Sequence, residues 1–533
     1  MPPRPSPPEP TLGAPLRITT FRNLLLANLA SDIGAFMQSV GAAWLMVSFG
    51  AGPKYVALTQ TASALPFFLL ALPAGSIGDI VDRRKLILFT ETWMVICAAV
   101  LAVLTMVGVT SPWLLLVLTF AISAGDAFES PSWRALLPDL VPREDLAAAS
   151  ALNGIEFNLA RALGPALAGV LIASTGAGAA FLVNALSFAG VILVIARWRP
   201  HARQGLAPAE TVGGATVAAL RYVRHSPEIR TLTYRSGIVM FFASATLALL
   251  PLVARRASES PLGYGLLLGC FGVGAVLGAL LIQPARARWS LNAVVSWAVG
   301  VFGATVVGTG ALRGMAGLAA VMLVGGGAWI IFLSLLAAAV QNLAPDWVRA
   351  RVLAVFMLFF QGGVAAGSAL WGSLAERLGI ERALVWAGLG TVAAAALGLL
   401  HKLPESPEDV APWIHWRLPT LAADPAQDLD DGPVLVSVEY IVKPQEDDAF
   451  LHAMHEQERV RRRDGASRWG IYHDVESADR YVESFIIATW AEHVRQHARQ
   501  IQADRQLEDR IQKLVQGSPR VRHFLYARPR KRR

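Results

Sequence analysis

Cysteine and charge are what this chain is short of. Two cysteines, Cys97 and Cys270, occur among 533 residues. Each falls in an apolar stretch of a different half, so neither a disulfide framework nor a cysteine-based metal centre is expected. Charged residues make up 16% of the chain, against about 25% in an ordinary soluble domain. No Gly-rich loop ending in Lys-Ser or Lys-Thr is present, which argues against nucleotide hydrolysis as an energy source. No short apolar run with a small-residue cleavage site precedes the first long apolar segment, so that segment is expected to direct its own insertion.

Apolar length is what the chain has. Hydrophobic residues reach 54% and the mean hydropathy is +0.46. A bilayer core about 30 Å thick takes about 20 apolar residues per helix. Segments of that kind run over 24–49, 55–77, 86–109, 113–137, 146–174 and 179–196. A polar, basic stretch follows, then 232–254, 262–282, 291–312, 315–343, 352–375 and 384–400. The net charge of +8 does not point to nucleic acid, because most of it sits in short loops beside these runs. Arg83, Arg84 and Lys85, then Arg134 and Arg143, then Arg197 to Arg224, then Arg286 and Arg288, then Arg349 and Arg351 mark alternate loops. Loops 110–112 and 175–178 carry no charge, and Arg255 and Arg256 are the main exceptions. The positive-inside rule then places both termini and the central loop in the cytoplasm, in a cell membrane.

The halves are related. Pro138-Asp139-Leu140-Val141 follows the fourth segment, and Pro345-Asp346-Trp347-Val348 follows the tenth. With six segments on each side of the basic stretch, this reads as a parallel duplication. The domain expectation is a disordered tail over 1–20, a six-helix bundle over 21–197, a cytoplasmic loop over 198–230 and a second bundle over 231–402. A linker over 403–433, a cytosolic domain over 434–527 and a basic tail over 528–533 complete it. The cytosolic domain reads strand 434–442, helix 445–464, strands 467–473 and 480–489, a broken helix 490–515 and strand 520–527. That βαββαβ order predicts a ferredoxin-like α+β fold.

The loop after the second segment holds Gly75, Asp79 four positions on, Asp82, and the pair Arg83–Arg84. Glycine permits close helix approach, and an acid facing a basic pair can latch two helices until they move. The fifth segment holds Arg161, Gly164, Pro165 and Gly169, with Ala160 and Ala168 among them. Small residues four apart allow close packing, and Pro165 removes a backbone hydrogen bond and permits a bend.

These two motifs resemble those of the major facilitator superfamily; the second is similar to its antiporter motif. Ile80 stands where an arginine is usual and Asp82 where a glycine is usual. Three further stretches narrow the resemblance to the transmembrane secretion effectors, the branch that includes enterobactin-exporter-like proteins. They are 131–143 with Asn153, Gly154 and Asn158; 249–278; and, in the cytosolic domain, 463–470 with 490–497. The resemblance implies an all-α membrane protein with the twelve-helix major facilitator fold, in 6+6 pseudo-symmetric bundles, plus the C-terminal ferredoxin-like domain. It implies a secondary transporter, not an enzyme, that exports a small lipophilic or amphipathic molecule by alternating access, with protons as the coupling ion. No cofactor and no nucleic-acid partner is expected; substrate, lipid bilayer and dimerisation through the C-terminal domain are the expected interactions.

Ionisable groups inside membrane helices are costly and so mark function. Asp32, Asp126, Glu129, Glu156 and Arg161 lie in the first half and form the candidate proton and substrate pathway. Glu91 reads as interfacial. Phe36, Trp44, Phe67, Phe68, Phe241, Phe242, Trp329, Phe356 and Phe360 are aromatics of the apolar segments with no individual role assigned. His452, His455, His473, His493 and His497 read as surface histidines, since no third ligand accompanies the last two, and no metal is expected. A rival reading is a membrane sensor whose cytosolic domain dimerises or binds a ligand. A second rival gives that domain an enzyme role, by likeness to small dimeric monooxygenase-like domains.

Overall fold

The structure is a computed structural model, described over residues 12–198, 212–403 and 432–526. Most of the expected linker and of the N-terminal tail, the basic tail, and residues 199–211 of the central loop lie outside the described residues. So do the surroundings of Gly75 and the side chain of Asp79.

The first half forms α1 (Thr19–Ser48), α2 (Pro53–Ile80), α3 (Arg83–Met106), α4 (Pro112–Leu140), α5 (Leu146–Thr175) and α6 (Ala177–Arg197). After α7 (Val212–His225) come α8 (Pro227–Ala257), α9 (Pro261–Arg288), α10 (Leu291–Ala311), α11 (Met315–Leu343) and α12 (Arg349–Leu378). The run closes with α13 (Ile380–Ala395) and α14 (Leu397–Leu400). Serines start several of these helices. Ser111 Oγ accepts from Leu114 N at 3.3 Å, and Ser290 Oγ accepts from Ala293 N at 3.2 Å, satisfying amides that have no partner within the helix.

Ten helices among the described residues are long and apolar enough to cross a membrane: α3 to α6, α8 to α12, and α13 with α14. Helices α1 and α2 have 30 and 28 residues but fall outside that set. Helix α1 carries Arg22, Asn23, Asn28, Asp32 and Gln38, which lower its hydropathy.

The described residues divide into two compact units. One contains residues 12–198, 233–336 and 356–403; the other contains 212–232, 337–355 and 432–526. Within the first unit the two halves repeat a packing pattern. Helix α3 packs on α6, and α10, the third long helix of the second half, packs on α13, the sixth. The second long helix of each half also meets the fifth of the other. Thr61 of α2 donates to Ala365 O of α12 at 3.1 Å. Gly169 of α5 lies against Gly265 of α9 so closely that a Cβ on Gly265 would stand 2.9 Å from the Gly169 Cα. No larger residue fits there without moving a helix.

The second unit contains the sheet. Strands β1 (Val434–Ile441), β2 (Arg468–His473), β3 (Arg480–Ile487) and β4 (Arg520–Leu525) are antiparallel in the order β2-β3-β1-β4. Helices α15 (Asp447–Asp464), α16 (Trp490–Ala498) and α17 (Gln502–Leu514) complete it. Alternation along β1 buries Val434, Val436, Val438 and Tyr440, the period of two that a one-sided sheet requires. They pack with Phe450, Met454, Phe485, Trp490, Leu507 and Ile511. The central stretch, expected as loop, contributes α7 to this unit. Its apolar face, Ala218, Ala219, Tyr222 and Val223, is buried, and α7 packs on α15.

Candidate functional site

The acids expected to form a pathway gather where α1, α3, α4 and α5 meet. Helix α5 brings Glu156, which is buried, and its Oε2 accepts from Asn28 Nδ2 of α1 at 3.0 Å. One turn further along α1, the Asp32 carboxyl is electrostatically coupled to the Glu156 carboxyl. Arg161, five residues after Glu156, is the cation nearest in effect to Asp32. Its guanidinium lies over the Phe157 ring, 4.8 Å from the centroid.

A second carboxyl pair lies between α3 and α4. Glu129 is buried, and its Oε2 accepts from Thr90 Oγ1 at 2.8 Å. It is electrostatically coupled to the Glu91 carboxyl. Glu91 is 3% exposed. The interfacial reading of that residue is therefore corrected: α3 turns it inward against α4. Asp126, one turn before Glu129 on α4, is electrostatically coupled to Asp32, Glu91 and Glu129. The five acids thus form one neighbourhood. Among the described residues, none of Asp32, Glu91, Glu129 and Glu156 has a cation at salt-bridge distance.

The loop motif resolves into separate contacts. Asp82 caps α3, accepting from Lys85 N at 3.2 Å. Arg83 pairs with Asp139 at the end of α4 at 3.0 Å. Arg84 donates to the carbonyls of Ile195, at 3.0 Å, and Ala196 at the end of α6. In α5, Gly164 faces Phe36 and the Ile33 carbonyl of α1, while Pro165 and Gly169 face Gly265 of α9.

Two second-half features were not singled out by sequence. Arg235 of α8 is buried and donates to Asn292 Oδ1 at 2.9 Å and His401 O at 3.2 Å. Trp329 of α11 touches Phe271, Phe302 and Phe360, with ring centroids 5.5 to 6.2 Å apart. Trp329 and Phe360 were visible as aromatics, but only packing groups them.

The second unit treats charge differently. Glu483 of β3 is fully buried and accepts from Arg461 Nε at 3.1 Å, Tyr440 Oη at 3.0 Å and Trp469 Nε1 at 2.9 Å. Glu492 of α16 pairs with Arg499 at 2.6 Å and with Arg221 of α7 at 2.9 Å. Burial alone would raise the Glu492 carboxyl, but Arg499, Arg221 and Arg495 hold it below the usual range. The Arg499 guanidinium also lies 4.6 Å from the Trp347 ring, and Trp347 meets Tyr222 edge-on at 5.7 Å. Trp347 belongs to the second Pro-Asp-x-Val turn, so this turn and α7 are held by the α16 region through charge and aromatic contact together.

The surface reading holds for His452, His455 and His473, which are exposed. It fails for His493, which is 1% exposed. Burial, with the neighbouring His497 and His523, lowers the His493 imidazole to about 3. His523 of β4 is the third histidine that sequence spacing did not reveal.

Comparison with known proteins identifies the family. Residues 11–531 match the family described as transmembrane secretion effector. The chain is 23% identical to the staphyloferrin A transporter of Staphylococcus aureus, over 68% of this chain and 90% of that protein. It is 24% identical to the multidrug efflux pump Tap of Mycolicibacterium fortuitum, over 67% and 90%. It is 28% identical to the enterobactin exporter EntS of Salmonella typhimurium, over 71% and 91%. Among solved structures, a bacterial homologue of the human lysosomal transporter Spinster shares the fold with a TM-score of 0.55 at 14% identity, over 73% of this chain and 96% of that one. With ten apolar helices, the chain is a multi-pass membrane protein and a secondary transporter. It belongs to the transmembrane secretion effector family of the major facilitator superfamily.

Proposed function

We propose that this chain is a proton-coupled exporter of a small lipophilic or amphipathic molecule, a siderophore, drug or metabolite, working by alternating access. Helices α1 and α2 complete a set of twelve spans, and bundles α1–α6 and α8–α14 rock about a central pathway. Both termini face the cytoplasm.

The observation that carries the reading is the pairing of carboxyls, Asp32 with Glu156 and Glu91 with Glu129. Two neighbouring buried carboxyl groups repel each other when both are charged, so each pair favours holding a proton. A rocking motion that separates α1 from α5, or α3 from α4, removes the partner that shares the proton. The acid is then left to ionise beside Arg161 or toward water. The names of the relatives support the substrate class, and the aromatic cluster around Trp329 supplies an apolar wall for such a molecule. Gly75, Asp79, Asp82, Arg83 and Arg84 form the gating motif, in which the Arg83–Asp139 pair is one contact to be exchanged. Arg161, Gly164, Pro165 and Gly169 set the α5 packing around which the halves move. The C-terminal unit is a ferredoxin-like regulatory module that senses the turn bearing Trp347.

Transport into everted membrane vesicles tests this, with siderophores, antibiotics and lipophilic cations as probes. Uptake of at least one probe class should collapse with an uncoupler and fall to the level of vesicles lacking the protein in Glu156→Gln. Uptake that survives the uncoupler, or full activity in Glu156→Gln, overturns the proton mechanism. A folded protein that moves none of the probes favours the sensor reading.

A further inference from the structure

The C-terminal unit holds a cluster that the transport reading does not use. His493 and His497 are four apart on α16, which puts them on one face of the helix. His523 lies on β4, opposite Val436 of β1. Residues opposite each other in an antiparallel pair share a face, and Val436 is a core residue. His523 therefore points to the helix-covered side, where it meets α16. The ring centroids of His493 lie 4.7 Å from His497 and 4.8 Å from His523. The Nε2 atoms of His493 and His497 are 3.3 Å apart, and one ligating nitrogen from each of the three lies within 4.8 Å of the others.

We propose that His493, His497 and His523 bind one divalent transition-metal ion of the zinc class. Two nitrogens on a tetrahedral zinc, each about 2.0–2.1 Å from the metal, stand about 3.3–3.4 Å apart. His493 and His497 already have that spacing, and His523 needs only a side-chain adjustment. An all-imidazole set suits zinc, copper or nickel rather than magnesium or calcium, which take oxygen ligands. Trp490 packs against both His493 and His523 and gives the site an apolar wall. His497 and His523 are half-buried, which leaves a route in and a fourth position for water or an exogenous ligand. A plain imidazole–imidazole hydrogen bond would account for the 3.3 Å contact. It does not account for the convergence of His523 on the same pair.

The test is independent of transport. The full chain is purified in detergent without a polyhistidine tag, stripped with chelator, and titrated with Zn²⁺ and with Co²⁺ as a spectroscopic probe. One equivalent of zinc should bind saturably, and cobalt should give the visible absorption of a four-coordinate site. His497→Gln and His523→Gln should each weaken binding at least about tenfold, while His452→Gln, on the exposed face of α15, leaves it unchanged. Histidine-specific acylation of the wild type gives a readout that needs no variant: zinc should protect His497 and His523. Absence of saturable binding, affinity unchanged in both variants, or acylation that zinc does not slow each overturns the proposal.

Discussion

Two buried charge clusters in this chain follow opposite rules. Where α1, α3, α4 and α5 meet, acids face acids: Asp32 with Glu156, Glu91 with Glu129. In the C-terminal unit, acids face arginines: Glu483 with Arg461, Asp504 with Arg463, Glu492 with Arg499 and Arg221. A buried ion pair with its remaining lone pairs satisfied is a fixed object, costly to break from either side. A buried carboxyl pair is stable only while a proton is present, and so can change state with the proton. Under the proposed function, the second cluster holds still and the first changes with the proton.

The comparison breaks if matched substitutions give matched results. Glu483→Gln leaves the Arg461 guanidinium buried against a neutral amide, and loss of one partner of a buried pair costs about 3–5 kcal/mol. Glu129→Gln replaces a protonatable acid with a neutral amide that still accepts from Thr90, and stability should move by less than about 1 kcal/mol. Transport should reverse the ranking, with Glu129→Gln falling to background. Thermal unfolding followed by tryptophan fluorescence, beside the vesicle assay, checks both halves. A Glu129→Gln protein that melts far below wild type would make that cluster structural after all.

Ten of the twelve expected spans and the C-terminal strands and helices were legible because both rest on local pattern. Apolar runs report helices directly, and the alternation Val434, Val436, Val438, Tyr440 reports a one-sided strand. Partnership was not legible. Glu91 looked interfacial because distance from a helix end says nothing of which neighbour a side chain meets, and α4 brings Glu129 to it. Helix α7 looked like a loop because Arg221 and Arg224 drew the eye. Its apolar positions 218, 219, 222 and 223 had helical spacing, but only α15 gives that face something to bury against. His523 was invisible as a third ligand because strand pairing across the sheet, not spacing, brings it to α16. Asp82, read as part of a latch, turned out to occupy a helix cap, which the residue order Asp-Arg-Arg-Lys at the start of α3 already permitted.

The pairing rule of the C-terminal unit is sharpened by pH. Burial, the largest influence, raises Glu508 to about 7, aided by Asp504 and Glu483 and opposed by Arg461. Its folded value lies above its unfolded value of about 4.5, so the folded state takes up the proton first. Stability therefore rises as pH falls from about 7 toward 4.5. Glu492 is held below its unfolded value, so its contribution is present above about 4.5 and is lost as pH falls through the folded value. These two groups alone favour a maximum near pH 4.5–5, and the His493 imidazole, lowered to about 3 by burial, opposes the upper limb, because the unfolded chain takes up that proton first as pH falls below about 6.5. Glu508→Gln should flatten the upper limb of a melting-temperature profile, and Glu492→Gln the lower one. A Glu492→Gln profile that still drops below pH 4.5 as steeply as wild type would show that the pairs to Arg499 and Arg221 add nothing.

The smallest expected effect concerns which rule Asp82 obeys. Its carboxylate accepts from Lys85 N at the first turn of α3, a contact that a rocking motion need not break, whereas its neighbour Arg83 reaches across to Asp139 on another helix. If Asp82 is only a cap, Asp82→Ala should cost about 1 kcal/mol, since alanine offers the orphan amide no acceptor. Asp82→Asn should cost nearly nothing, because asparagine caps about as well as aspartate. Neither change should alter the transport rate per folded molecule. Arg83→Ala, by contrast, removes a contact between helices and should change that rate while moving stability little, as for other partly exposed pairs. Melting curves and initial transport rates on the three variants separate the two rules. A rate lost in Asp82→Asn, where the cap survives and only the charge is gone, would move Asp82 from the fixed charges to the moving ones.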